Sequence, residues 1–433
     1  MERVVLLGFL LVIAAGTLLL WGGNLGAEPL SLLDALFTAT SATCVTGLAV
    51  VDTGRDLSPF SQVVLLLLIQ IGGLGVMTVT TVLPLLLGRH IDLRRRMLLT
   101  GGLGLDSPAG AIRLLLSVLR QTLAIEAAGA AALSVAFLLE GHPGGEALWL
   151  AVFHSISAYC NAGFSPFATS LEGFVRSPLV PGIVMVLIVL GGLGFPVLKE
   201  LEERRRVGAP KRLSLYARVV FFTTALLVAG GTALICLTEW RGALGALPWP
   251  WKIWNALFCA VTPRTAGFDT ISYGTFTGAG LACTMLLMFV GASPASTGGG
   301  IKTTTLAVLL LACWREIQGA GEVHAEGRRI PGRTVFRALT LTVLYSGTLV
   351  GAVLALSLSE SLEFFRVAFE AVSALGTVGL STGITASLSP FGKGVIILLM
   401  FWGRVGIVTF MFGVLARESA GRVSYVDASV PIG

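Results

Sequence analysis

The chain of 433 residues is 55% hydrophobic and only 12% charged, with a net charge of +6 and a mean hydropathy of +0.86. Soluble domains carry roughly 25% charged residues, so a water-soluble fold is excluded. The basic residues sit in short clusters between apolar runs, which argues for membrane topology and against a nucleic-acid partner.

In chain order, apolar runs cover residues 4–21, 60–88, 113–139, 179–198, 214–238, 279–314, 335–358 and 392–415. A helix needs about 20 residues to cross a bilayer, so each run is an expected spanning helix. The first run, behind a charged start, has the outline of a signal peptide; it is expected to be retained as the opening helix of the first repeat. Shorter amphipathic segments lie between the odd and even runs, at 31–43, 146–159, 250–262 and 362–375. Too short to span, they are expected to enter from one face and stop at membrane depth.

Each short segment carries the phrase Phe-x-x-x-Ser-x-x-x-x-x-Gly: Phe37, Ser41, Gly47; Phe153, Ser157, Gly163; Phe369, Ser373, Gly379. The copy at Phe258, Thr262 and Gly267 is one residue shorter. A fourfold repeat predicts four units around one axis, here 1–88, 89–206, 207–318 and 319–433. Non-helical backbone at membrane depth persists only where it lines water or is buried in protein. Four glycine loops facing one axis therefore predict a pore. Glycine allows the chain to turn carbonyls inward, and rings of carbonyls replace the hydration shell of a monovalent cation. The expected ligand-bearing residues are Val45, Thr46, Gly47, Asn161, Ala162, Gly163, Thr265, Ala266, Gly267, Thr377, Val378 and Gly379. A glycine helix cap accounts for one copy, but four in register point to a filter.

The helices after these loops also align. Leu68-Ile69-Gln70-Ile71-Gly72-Gly73 matches Leu187-Ile188-Val189-Leu190-Gly191-Gly192, and Leu286-Leu287-Met288-Phe289-Val290-Gly291 matches Leu398-Leu399-Met400-Phe401-Trp402-Gly403. That register makes Gly73, Gly192, Gly291 and Gly403 equivalent, followed by Leu74, Leu193, Ala292 and Arg404. Arg404 lies inside an apolar run, where a charge costs at least about 2.5–3.5 kcal/mol. A structural ion pair is one explanation; a positive charge below the filter, opposing cation passage, is the favoured one. Residues 291–305 are rich in Gly, Ser, Thr and Pro, so helix propensity collapses within a run long enough to span. A phosphate loop would need glycine directly before lysine, after a strand, whereas Ile301 precedes Lys302. The stretch is expected to be a movable gate of Gly291, Ser296, Thr297, Gly298, Gly299, Gly300 and Lys302, acting with Arg404.

Other features are expected to be structural. Glu126 is expected to pair with Arg120 or helix-end groups, His154 to sit in a re-entrant helix, and the six cysteines to behave as small hydrophobes. Arg94, Arg95, Arg96, Arg204, Arg205 and Arg206 mark one face as cytoplasmic, with both termini. The opposite face is acidic, with Asp34, Asp52, Glu172 and Asp269 among others, and would gather cations. Clusters with catalytic or metal-site spacing are missing from the sequence, which argues against an enzyme. An inverted-repeat transporter would need two halves of opposite topology, whereas these units share one orientation.

With its four filter glycines, four half-helices and Arg404, nearly the whole chain resembles the Trk/Ktr/HKT superfamily of potassium transporters. The resemblance implies an all-α integral membrane fold with four M1–P–M2 repeats, that is, eight spanning helices and four re-entrant pore helices around one central pore. In that family glycine in all four filters goes with potassium selectivity, and serine in the first with sodium-preferring members. The chain opens directly on its first M1 helix, so the Ktr-type membrane subunit (KtrB-like) is nearer than Trk-type members with two further N-terminal helices; a Trk-type subunit and a sodium-permeable relative are the alternatives. The resemblance further implies K+ uptake across a bacterial cytoplasmic membrane without an organic cofactor. An intramembrane loop blocks the pore in the family, and the subunit forms a homodimer on a cytoplasmic ring of nucleotide-binding RCK-type subunits (KtrA-like). Na+ dependence is a family property that the residues leave open.

Overall fold

The computed structural model describes residues 2–24, 29–75, 111–204, 212–319 and 322–406. These are almost entirely helical. The order is α1 (Glu2–Gly23), α2 (Leu32–Thr43), α3 (Pro59–Leu74), α4 (Ala111–Leu139), α5 (Gly144–Tyr159), α6 (Leu179–Leu193) and α7 (Phe195–Glu203). Then come α8 (Leu215–Glu239), α9 (Trp249–Val261), α10 (Gly278–Phe289), α11 (Thr303–Ile317), α12 (Gly332–Ser359), α13 (Phe364–Gly376) and α14 (Pro390–Val405). A small antiparallel hairpin, β1 (His324–Ala325) with β2 (Arg328–Arg329), joins α11 to α12.

Local chemistry fixes where the elements start and how they are joined. Ser31, Ser58, Thr277 and Ser389 each cap a helix by accepting a backbone N–H three residues on, and Pro59 and Pro390 follow where a missing N–H costs nothing. Three of these caps are seated by a polar side chain just past or at the end of a long helix. Ser58 N–H donates to Asn24 Oδ1 at 2.8 Å. Thr277 donates its N–H (3.0 Å) and hydroxyl (2.6 Å) to Glu239, and Ser389 its N–H to Glu360 at 3.2 Å.

The packing closes on itself. The short helices α2, α5, α9 and α13 each lie against the long helix before them, α1, α4, α8 and α12. They also meet the third helix of a neighbouring set: α3 packs on α5, α6 on α9, α10 on α13, and α14 returns to α2. The return is pinned by Lys393, which donates to Asp34 at 2.7 Å. Phe37, Phe153, Phe258 and Phe369 from the repeated phrase are fully buried, each in one of the apolar clusters between neighbouring helices. Burying such a ring contributes about 1.5–3 kcal/mol.

Among the described residues four helices are each long and apolar enough to cross a membrane: Val5–Gly23, Leu116–Leu139, Leu215–Glu239 and Gly332–Ser359. They expose Leu11, Leu138, Phe222, Leu226, Phe336 and Leu354, the apolar surface that lipid would cover. The expected run at 179–198 instead bends by 97° between α6 and α7, at Gly194, whose φ of +93° suits glycine. The run at 279–314 is cut between α10 and α11. The later parts of 60–88 and 392–415, with Arg94, Arg95, Arg96, Arg205 and Arg206, lie outside the described residues.

Candidate functional site

The repeated glycines converge. Each short helix ends one to four residues before a non-glycine residue with positive φ: Val45 (+56°), Asn161 (+58°), Thr265 (+71°) and Thr377 (+49°). Each is followed two residues later by the glycine, also with positive φ: Gly47 (+95°), Gly163 (+72°), Gly267 (+80°) and Gly379 (+93°). Non-glycine residues in this region carry strain of roughly 1–3 kcal/mol and are maintained by their surroundings. A Cβ on Gly47 would stand 2.4 Å from the Ala162 carbonyl oxygen, one on Gly163 2.7 Å from that of Ala266, and one on Gly267 2.5 Å from that of Val378. On Gly379 it would stand 2.1 Å from that of Thr46. Each glycine thus rests on the carbonyl before the next loop's glycine, and the fourth rests on the first. The four glycines and the four residues directly before them close into one ring.

The hydroxyl of the phrase holds the loop to its helix. Ser41 Oγ and Ser373 Oγ accept from the Gly47 and Gly379 N–H groups at 3.1 Å. Ser157 donates to the Phe164 carbonyl at 2.8 Å, and Thr262 to that of Phe268. A hydroxyl at this spacing spans the turn after the helix, which explains why the phrase needs Ser or Thr. The Thr46 and Thr377 hydroxyls are buried without a partner among the described residues. Four helix C-termini point into the ring, and their partial negative charge favours a cation there.

The unwound stretch lies directly beneath the ring. A Cβ on Gly298 would meet Thr265 Oγ1 at 2.0 Å, and one on Gly299 would meet Thr377 Oγ1 at 2.2 Å. The stretch covers residues 290–302, shorter than the expected 291–305: Thr303, Thr304 and Thr305 form the first turn of α11. Gly291 N–H donates to the Ile301 carbonyl at 2.9 Å, so the chain leaves and returns at one place. Gly300 makes that return with a φ of +68°. Lys302 folds back, its ammonium donating to the carbonyls of Gly298 (2.8 Å) and Gly299 (3.3 Å). Ser296 donates to the Ser293 carbonyl at 2.6 Å, and the Thr297 hydroxyl to that of Tyr159 at 3.2 Å. Arg404, near the end of α14, bridges the loop to α3: it donates to the Thr297 and Gly72 carbonyls and, at 3.5 Å, to that of Gly73.

Two expectations change in detail. A Cβ on Gly72, Gly191 or Gly403 would press on the last carbonyls of a short helix, those of Thr43 (2.2 Å), Tyr159 (2.0 Å) and Leu375 (2.1 Å). These three are therefore equivalent, one residue earlier than expected in the first two sets. Gly73 and Gly192 then occupy the position of Arg404, and a Cβ on Gly73 would stand 2.5 Å from Cys160 Sγ. Arg120 pairs with Glu202, not with Glu126. Glu126 is buried and accepts from Gln70 Nε2 at 3.1 Å, tying α4 to α3. Cys44, Cys160 and Cys259 are buried as expected, whereas Cys313 is exposed.

On the other side of the ring all four glycines open into one cavity of about 320 Å3, lined also by Asp52, Glu172 and Asp269. Burial pushes the Asp269 carboxyl up to about 7; the Ser170 hydroxyl opposes the rise and the Glu172 charge adds to it. Burial likewise raises Glu172.

The family described as TrkH, cation transport protein, matches residues 7–420. The chain belongs to the TrkH family. It is 38% identical to the Ktr system potassium uptake protein B of Bacillus subtilis over 99% of this chain and 96% of that protein. It is also 38% identical to the potassium/sodium uptake protein NtpJ of Enterococcus hirae, over 96% and 94%. The Ktr system potassium uptake protein B of Vibrio alginolyticus is 37% identical over 100% and 94%. The crystal structure of the potassium transporter TrkH from Vibrio parahaemolyticus shares the fold, with a TM-score of 0.74 at 22% identity, covering 94% of this chain and 84% of that one. TrkH-family membership makes the chain a membrane transporter and not an enzyme, in line with its apolar helices.

Proposed function

We propose that this chain carries K+ into a bacterial cell through a pore whose selectivity filter is the ring of four loops. The observation that carries the reading is the cyclic contact of each filter glycine with the next loop's carbonyl, because only a closed ring gives a cation a cage of fixed size. Val45 to Gly47, Asn161 to Gly163, Thr265 to Gly267 and Thr377 to Gly379 supply the carbonyls, and K+ is their cargo. The four sets act as M1–P–M2 repeats bounded at 88, 206 and 318. Their short helices enter from the acidic outer face, and both termini lie in the cytoplasm.

The stretch 290–302 is the gate. It lies across the path under Thr265 and Thr377, and Lys302 and Arg404 hold it by backbone carbonyls that can be released without breaking an ion pair. The chain works as a homodimer on a cytoplasmic RCK-type ring that binds nucleotide, reached through its basic loops at 89–96 and 199–212. The relative named a potassium/sodium uptake protein keeps Na+ as a possible second cargo or requirement.

The test is uptake of K+ or Rb+ by the full chain in a strain deficient in K+ uptake, with its regulatory partner and with or without Na+. Saturable uptake favouring K+ over Na+ is expected, and its absence overturns the reading. Deletion within residues 294–300 is expected to raise flux; unchanged flux removes the gate assignment while leaving the filter intact.

A further inference from the structure

The residue directly after the repeated phenylalanine differs in each copy: Thr38, His154, Cys259 and Glu370. The residue two beyond the filter glycine is Ala49, Ser165, Asp269 or Ser381, serine in the second and fourth copies. In the second and fourth copies the two positions bond to each other behind the filter. His154 Nδ1 lies 2.7 Å from the Leu150 carbonyl, which can only accept, so Nδ1 carries the proton and Nε2 is an acceptor. The Ser165 hydroxyl donates to Nε2 at 3.0 Å, and Ser165 Oγ accepts the Phe167 N–H at 3.1 Å. In the fourth copy the Ser381 hydroxyl donates to Glu370 Oε2 at 2.9 Å, and Ser381 Oγ accepts the Gly383 N–H at 2.9 Å. Thr385 donates to the other oxygen of Glu370. His154 and Glu370 are both fully buried.

The first and third copies lack this connection. Ala49 has no hydroxyl, and the buried Thr38 hydroxyl has no partner among the described residues. In the third, the Asp269 N–H donates to Ser170 Oγ at 3.3 Å, which lashes that loop to the second. Ring order puts the second and fourth loops opposite each other.

We propose that His154 with Ser165 and Glu370 with Ser381 are a matched pair of latches, positioning residues that set the width of the filter along one diagonal and so its preference for K+ over Na+. The inference rests on the filter reading above. A carbonyl cage discriminates between ions only as far as its size is held. Each latch runs from a buried acceptor on the short helix, through one serine, to the backbone just past the filter, so the loop cannot shift outward without stranding a buried polar group. The two acceptors differ in chemistry but occupy the same position in the repeat and take the same proton. That coincidence is what a positional requirement predicts and a packing requirement does not.

The experiment compares K+ and Na+ uptake by the full chain carrying Glu370→Ala, Ser381→Ala, His154→Ala, Ser165→Ala or the double change Glu370→Ala with Ser381→Ala. Thr38→Val is the unlatched control, and Gly379→Ser tests the filter itself. Each latch variant is expected to lower the K+ to Na+ ratio about tenfold, the equilibrium factor for one buried hydrogen bond. The double variant should be no worse than either single one, Glu370→Gln should restore the ratio, and Thr38→Val should leave it unchanged. If Gly379→Ser shifts the ratio while every latch variant keeps the wild-type value at normal membrane abundance, the latch is overturned and the filter stands. If Gly379→Ser also changes nothing, the filter reading itself falls. A variant that does not reach the membrane is replaced by its serine partner, whose loss of one hydroxyl is the milder change.

Discussion

Replacing a filter glycine by alanine tests the ring most directly, because the structure gives each position its own magnitude. At Gly379 the added Cβ would stand 2.1 Å from the Thr46 carbonyl oxygen, and real Cβ atoms essentially never approach closer than 3.0 Å, so that carbonyl must retreat by about 0.9 Å. At Gly47 and Gly267 the approaches of 2.4 and 2.5 Å demand about 0.6 and 0.5 Å, and at Gly163 the 2.7 Å approach demands about 0.3 Å. A binding constellation tolerates displacements of roughly 0.5 Å. The positive φ adds roughly 1–2 kcal/mol of backbone strain at every position, and about 1.4 kcal/mol is tenfold in an equilibrium constant. Initial rates of K+ uptake in K+-depleted cells should therefore show KM rising at least about tenfold for Gly379→Ala, somewhat less for Gly47→Ala and Gly267→Ala, and least for Gly163→Ala. Gly230→Ala, where nothing lies within 4 Å of the new methyl, should transport normally. Wild-type KM and K+ preference in all four filter variants, at normal abundance in the membrane, would refute the reasoning.

Three further outcomes follow from single groups. Arg404→Ala removes the donors to the Thr297, Gly72 and Gly73 carbonyls, so basal K+ efflux from loaded cells should rise several-fold as the loop loosens; unchanged efflux would deny the bridge a gating role. The raised Asp269 carboxyl is neutral below about 7 and charged above it. One more negative charge in the outer cavity should lower the KM for K+ by about two- to fivefold between pH 6 and 8, and Asp269→Asn should flatten that profile. The same proton is held in the folded state but lost by the unfolded chain above its ordinary value of 3.8, so this group's contribution to stability falls as pH rises from there to about 7. Glu239→Ala strips acceptors from Thr277 and from the Ala243 N–H at 3.0 Å. It should cost roughly 2–4 kcal/mol, seen as a lower unfolding midpoint of the purified protein in detergent.

Much of this arrangement is readable from the residue string, because the phrase that repeats is the part the geometry requires. The phenylalanine, the hydroxyl and the glycine each do one physical job at a fixed distance from the others: burial, bridging the turn, and close approach to a neighbouring carbonyl. The break after Phe289 is equally legible, since four glycines and a proline cannot continue a helix. What stays hidden depends on contacts between segments far apart in the chain. Nothing in the sequence tells whether Gly72 or Gly73 faces the end of α2, since either fits the pattern of two adjacent glycines. Arg120 lies only six residues before Glu126 along α4, yet its partner is Glu202 on another helix. The correspondence of His154 with Glu370 escapes notice because histidine and glutamate share no chemistry by type. A signal did exist: both directly follow the repeated phenylalanine, and both copies carry serine two residues after the glycine.

The hydrogen bond from Gly291 to Ile301 makes the unwound stretch a side loop closed at its base. The ends of α10 and α11 are fixed to each other there, so whatever happens to the residues between them need not be transmitted to either helix. As the proposed gate, the stretch can then change shape while the ends of α10 and α11 keep their spacing. In the proposed pore such modularity separates how readily the pathway opens from which ion it admits. Regulation could accordingly be retuned by altering a dozen residues of one repeat, with the neighbouring helices undisturbed.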